Sequence, residues 1–286
     1  MLNRSTIQHL RFGFSLFLMP VYWFALSQAD SINLPNAILI FIILHLLVYP
    51  ASNGYNSYMD DDKGSIGGIE KPLPINKQLL YVSVMMDFAA VLLSFIISWR
   101  TALAVFIYII ASRLYSYRGI RLKKYPLIGY LTVVICQGAL VYYIVSISVN
   151  ETVAIQNILF PAIISSMLIG GTYPLTQVYQ HQQDRADGVT TLSYLLGVKG
   201  TFLYCGVVLL VAVLLLTVYL VNSGQVNSLL IYFAAMIPVL VYFTKWFLQV
   251  DKDKTQANFK NLMYMNYIAS VCSNIAFIGM IILKYL

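Results

Sequence analysis

Nine apolar stretches dominate this chain, roughly 10–29, 34–53, 79–99, 101–118, 127–149, 156–179, 200–222, 227–248 and 262–285. A membrane span needs ~20 mostly apolar residues to cross ~30 Å of hydrocarbon, and each stretch meets that requirement closely. Lipid offers no hydrogen bonds to a backbone, so spanning segments of this kind are helices. Hydrophobic residues make up 59% of the 286 and charged residues only 10%. No soluble fold hides that much apolar surface, and the spans leave no room for a separate soluble domain. The expectation is an all-α polytopic membrane protein with nine transmembrane helices. The first stretch has the basic flank and small residues (Ser27, Ala29) of a signal peptide. Its apolar core is longer than usual for one, so it is read as a helix.

The placement of charge gives an orientation. Of 18 Lys and Arg, only Arg100 and Lys284 fall on the face opposite the N-terminus, leaving 16 on one side. Basic residues stay cytoplasmic, which puts the N-terminus in the cytoplasm and the C-terminus outside. The +7 net charge then lies against anionic lipid head groups and gives no reason to expect nucleic acid. Cys136, Cys205 and Cys272 are odd in number and lie inside apolar spans, which suits packing rather than disulfides or a metal knuckle.

Two polar stretches at the ends of apolar runs repeat each other. Tyr49-Pro50 precedes Asn53, Tyr55, Asn56 and Asp60; Tyr173-Pro174 precedes Gln177, Tyr179, Gln180 and Asp184 at the same offsets. The copies lie four spans apart on one membrane face. This predicts two four-helix units, roughly 10–118 and 127–248, followed by a ninth helix over 262–285. On a helix, residues four apart share a face, so Asn56 aligns with Asp60 and Gln180 with Asp184. Asn53, Tyr49 and His45 continue that face, His45 roughly 12 Å deeper, and are expected to line a protein cavity rather than lipid. Clusters of oxygen ligands suit Mg²⁺, which is commonly shared with substrate phosphates. The anion side is supplied by Arg118, Arg121, Lys123, Lys124 and Arg185, suited to a metal-bridged diphosphate. Asp87, about 13 Å inside the third span, is expected to pair with Arg113, an acceptor-binding role being the sharper alternative.

These residues resemble the UbiA superfamily of intramembrane prenyltransferases. "SNGYNSYMD" (52–60) and "QHQQD" (180–184) are similar to its two Asp-rich motifs, NDxxDxxxD and DxxxD, which follow helices 2 and 6. "EKPLP" (70–74), "GVTTLSYLLG" (188–197) and "YSYRGIRLKKYPLIG" (115–129) resemble further stretches of the family. Asp60 and Asp184 match motif aspartates. Ser52 replaces an Asn, and Asn53, Asn56 and Gln180 stand where the family has aspartates. A second register would put Asp61 on the last motif aspartate. It leaves Gly54 and Ser57 at aspartate positions and breaks the internal repeat, so the first register is preferred.

The resemblance implies an Mg²⁺-dependent enzyme that moves a polyprenyl group from a prenyl diphosphate to a small aromatic or quinone-precursor acceptor. It further implies metal ligands from Asn53, Asn56, Asp60, Gln180 and Asp184, with Asp61, Asp62 and Asp187 restoring charge lost to the amides. Asp60 and Asp184 would be the catalytic pair, and Tyr55 and Tyr179 are candidate rings to shelter an allylic cation. The amide replacements also allow a member that binds prenyl lipid or quinone without catalysis. A cation-coupled transporter is the alternative from another class.

Overall fold

The computed structural model describes residues 2–61 and 64–285. It is helical throughout, with one isolated antiparallel bridge between Ile66 and Ile69 among the described residues. Seven helices are long and apolar enough to cross a membrane, eight if the bent N-terminal pair forms one span. That pair is α1 (Arg4–Leu10), running through a 3₁₀ turn into α2 (Met19–Gln28), with a 40° bend between its halves. Then come α3 (Leu34–Asp60), α4 (Lys77–Ile97), α5 (Trp99–Ser116), α6 (Pro126–Val149) and α7 (Ile155–Gln177). A short α8 (His181–Ala186) precedes α9 (Leu192–Asn222), α10 (Val226–Lys252) and α11 (Phe259–Tyr285). The expected fourth span is α5, 18 residues long, which carries Arg100 and Arg113 and is correspondingly less apolar.

Local chemistry sets the helix ends. Asn33 caps α3 by accepting from Asn36 N at 3.1 Å, and Ser98 caps α5 by accepting from Thr101 N at 3.1 Å. Pro35 and Pro126 sit in first turns, where a missing N–H leaves no bond unmade. At Gly197 (φ 67°) α9 breaks, so its first turn stands apart from the long apolar helix.

The core lies along the interior of the bundle, where Phe24, Tyr49, Tyr142, Ile144 and Phe277 are fully buried. A smaller cluster around Phe202 and Trp246 joins α9, α10 and α11. α3 packs against α4 and α5, α6 against α7, and α7 against α9, while α11 returns onto α2. Gly138 on α6 lets α7 approach: a Cβ there would meet Ser166 Cα at 2.4 Å. The outward faces remain apolar, with Met85 70%, Phe88 67% and Ile96 69% exposed on α4 alone. Such a surface needs lipid as its solvent, and the chain is an integral membrane protein.

Two π-helical turns interrupt the regular spacing, Ile43–Val48 in α3 and Ile135–Leu140 in α6. An extra residue in a turn rotates what precedes it by roughly 100°, and such turns gather at functional positions. The first corrects the sequence reading. His45 leaves the polar face and stacks on Phe41 at 4.4 Å; Tyr49, which follows the turn, is also buried and packs on His45.

Candidate functional site

Both copies of the repeat open onto one cavity of about 220 Å³. From α3 come Ser52, Asn53, Asn56 and Asp60; from the end of α7 and the start of α8 come Thr176, Gln177, Gln180 and Asp184. Each half therefore offers a hydroxyl, two amides and a carboxylate at matching offsets. The two copies reach this arrangement by different backbones. The first is a continuous α-helix over Tyr49–Asp60, whereas the second tightens to 3₁₀ over Tyr173–Gln177 before α8. One α-turn survives between Gln180 and Asp184, where Asp184 N donates to Gln180 O at 2.9 Å. The tighter turn also makes Tyr173 a wall residue, although its counterpart Tyr49 is core.

A cationic collar closes the end of the cavity that carries the two motifs. Lys123 Nζ donates to Asp60 Oδ2, and Arg121 Nη2 donates to Asp60 Oδ1 at 3.2 Å. Arg121 also binds Asp187 through its carboxylate and its backbone carbonyl, the latter at 2.9 Å. Arg118 donates to Asp187 Oδ1 at 3.3 Å and to Met59 O at 2.5 Å. Burial pushes the Asp187 carboxyl up, but the Arg121 hydrogen bond and the charges of Arg121, Arg118 and Lys123 outweigh it and hold it below its ordinary value. The loop carrying these cations is wound tightly by Arg121 itself, left-handed at φ 53°, ahead of a 3₁₀ turn over Leu122–Lys124.

The remaining expected residues lie elsewhere. Lys124 stacks over Tyr125 at 4.9 Å and Arg185 over Tyr194 at 5.5 Å. Tyr179 packs on Phe259. Asp61 ends α3 in a left-handed conformation (φ 52°), outside the cavity wall. Asp62 lies outside the described residues.

Asp87 is held by Arg113, whose Nε donates at 2.8 Å and whose Nη2 contacts the same oxygen. That guanidinium sits 4.1 Å from the Tyr55 ring centroid, so Tyr55 is also engaged behind the wall. The two charged side chains are only 15% and 13% exposed. Removing one partner of such a pair costs about 3–5 kcal/mol. Asp87→Asn is expected to destabilise the protein by an amount of that order, with Arg113→Met in the double variant recovering much of it. Denaturation in detergent measures both. Loss of ligand binding with stability unchanged would instead give Asp87 a direct role.

Several wall residues carry no motif signal. Tyr108, Ser112, Tyr115 and Ser116 descend α5, while Thr132, Cys136 and Gln137 line α6, the last two on its π-turn. Arg11, left-handed at φ 49°, also faces the cavity and donates to Asn53 O at 3.1 Å. Gln177 and Thr176 stand at the offsets of Asn53 and Ser52, so the repeat itself points to them.

This geometry, two repeated polar helix ends enclosing a buried cavity with a cationic collar, is that of an intramembrane prenyltransferase fold. The UbiA prenyltransferase family matches residues 17–268, and the chain belongs to that family. A UbiA homolog from Archaeoglobus fulgidus, bound to DMAPP and Mg²⁺, superposes with a TM-score of 0.72 at 14% identity, over 97% of this chain and 99% of that one. The apo UbiA homolog from Aeropyrum pernix K1 gives 0.74 at 14% identity, over 96% and 99%. A digeranylgeranylglyceryl phosphate synthase gives 0.60 at 16% identity, over 98% and 97%. No curated protein matches the chain.

Proposed function

We propose that this chain transfers a polyprenyl group from a prenyl diphosphate to a small aromatic or quinone-precursor acceptor within the membrane. The observation that carries the reading is the convergence of both repeat copies and Lys123 on one cavity. Residues 10–118 and 127–248 act as its two repeat units, with the ninth helix closing the bundle. The A. fulgidus homolog was solved with DMAPP and, separately, with GPP, both allylic diphosphates, each with Mg²⁺.

The chemistry follows from the wall. The diphosphate lies against the collar, where Lys123 and Arg121 are already oriented toward anionic oxygen and need no reorganisation. The bond from the allylic carbon to the diphosphate oxygen breaks, its electron pair leaving with the diphosphate. Tyr108, Tyr115 and Tyr173 face the cavity and can shelter the allylic cation. The hydrogen bond between the Tyr115 and Tyr173 hydroxyls fixes both rings. The acceptor attacks, loses a proton and leaves as its prenyl derivative, with inorganic diphosphate as the second product.

Mg²⁺ is tested by the donor set. No three of the described His, Cys, Asp and Glu come together to hold a metal. On the Asp184 side, with Gln177 and Gln180, the set is all oxygen and nitrogen-free in its acceptors. It fits Mg²⁺ arriving with a diphosphate, which needs only one or two carboxylates from the protein. Bound there, the metal would neutralise charge on the leaving group. Asp61, Asp62 and Asp187 are not needed for that role.

The test uses the protein in nanodiscs with geranyl diphosphate as probe. Thermal stabilisation, protection of Cys136 from a thiol reagent and diphosphate release with an acceptor are the expected results. Absence of stabilisation with and without Mg²⁺ defeats the reading, and binding without release across acceptor classes identifies a non-catalytic carrier. Orientation is checked in cells: a reporter at the C-terminus should work only on the outer face, placing the site at the cytoplasm.

A further inference from the structure

The two halves of the cavity, equivalent in sequence, differ in what they offer a ligand. On the α3 half both oxygens of Asp60 are engaged, Oδ2 by Lys123 and Oδ1 by Arg121. The three side chains are 11%, 12% and 9% exposed, so this is a formed cluster and not a chance surface contact. Asn56 Nδ2 donates to Ser116 Oγ at 2.7 Å, tying that amide to α5. Asn53 Nδ2 and Ser52 Oγ are buried without a hydrogen-bond partner, although both residues face the cavity. This half therefore presents an ammonium, a guanidinium, an amide N–H and a hydroxyl, alongside the Asn56 oxygen, while its one carboxylate is taken up by the two cations.

The α7–α8 half is turned the other way. Gln177 Nε2 donates to Tyr173 at 2.9 Å, leaving Gln177 Oε1 buried without a partner. Gln180 Nε2 donates to Ser65 O at 3.2 Å, so its oxygen is the end left for a ligand. The amide oxygens of Gln177 and Gln180 give that half an acceptor face. Donors suit phosphate oxygens, and acceptors suit a cation. A divalent ion at Asp60 would have to evict Lys123 or Arg121 and then sit against their positive charge.

We propose that the Asp60 half takes no metal: Lys123 is its resident cation, held by Asp60 and meeting a terminal phosphate directly. The inference rests on the diphosphate reading above and changes what Asp60 does within it. Asp60 becomes the residue that positions Lys123, and at most one divalent ion is bound, on the Asp184 side. Charge balance favours this. Lys123 has three N–H donors and Arg121 five, so both can meet phosphate oxygens while keeping Asp60, and no bare charge is left behind.

Two measurements test it on the full chain in nanodiscs. Geranyl diphosphate in EDTA should still bind, within about tenfold of its affinity in Mg²⁺, the range of one charge-assisted contact. Mn²⁺, counted by its electron paramagnetic resonance with geranyl diphosphate present, should saturate at one per chain. Lys123→Gln should weaken binding in EDTA by roughly 10–100-fold, the value of a hydrogen bond to a charged group, and should tighten Mn²⁺. Lys123→Arg should keep both properties near wild type. Two Mn²⁺ per wild-type chain, or binding abolished by EDTA, overturns the proposal whatever the variants do. Failure to bind geranyl diphosphate under either condition strikes the diphosphate reading itself, and is thereby distinguished from failure of the metal count.

Discussion

Asp60→Ala is expected to be among the most damaging single substitutions in the chain, in two ways that separate from each other. It leaves Lys123 and Arg121 facing a cavity without their shared carboxylate, at 12% and 9% exposure. Breaking a buried pair from one side costs about 3–5 kcal/mol, lessened here because Arg121 keeps Asp187. Thermal denaturation should show the loss without any ligand, and prenyl diphosphate should restore part of it by supplying the missing negative charge. Asp184→Ala should behave differently. It removes the carboxylate from the acceptor half, so Mg²⁺-dependent diphosphate binding is lost. Asp253→Ala, which removes a cap from a turn outside the cavity wall, should leave binding at the wild-type level. Equal binding by all three variants would remove both motif aspartates from the site.

Much of this site could be read from residue order because the repeat is a symmetry constraint. Of the six repeated positions, the two amides and the carboxylate of each copy face one cavity, while Tyr49, Tyr55 and Tyr179 pack elsewhere. The membrane class followed with similar force from the apolar runs, since the exposed faces of α4 have no other solvent. What the residue order concealed was local backbone. An α-helical spacing argument carried the polar face back to His45, and a π-turn at Ile43–Val48 turned it into the core. The second copy was expected to be helical throughout, and its first part, Tyr173–Gln177, is a 3₁₀ turn.

Pairing was also hidden. The basic residues were read as anion ligands and the acids as metal ligands, yet across loops distant in sequence they meet one another first. Lys123 and Asp60 lie 63 positions apart, and no periodicity links them. Gln137 and Cys136 reach the wall because of a π-turn that composition does not announce.

Restoring the family aspartates provides the sharpest contrast between a site adapted to its amides and one merely weakened by them. Asn56→Asp with Gln180→Asp brings two further carboxylates to a cavity that already holds Asp60 and Asp184. It also removes the N–H groups that tie Asn56 to Ser116 and Gln180 to Ser65. Clustered carboxylates repel one another, so the double variant should be less stable than the wild type when no metal is present. Added Mg²⁺ should reverse it: at 100 times its dissociation constant a bound ion contributes about 2.7 kcal/mol. The wild type, with Lys123 already at Asp60, should respond little to Mg²⁺ alone. The double variant should therefore gain a Mg²⁺-dependent rise in melting temperature that the wild type lacks, and need less Mg²⁺ to release diphosphate. A double variant with the Mg²⁺ response of the wild type would show that these positions do not face the ion, and the assignment of Asn56 and Gln180 to the ligand site would fall.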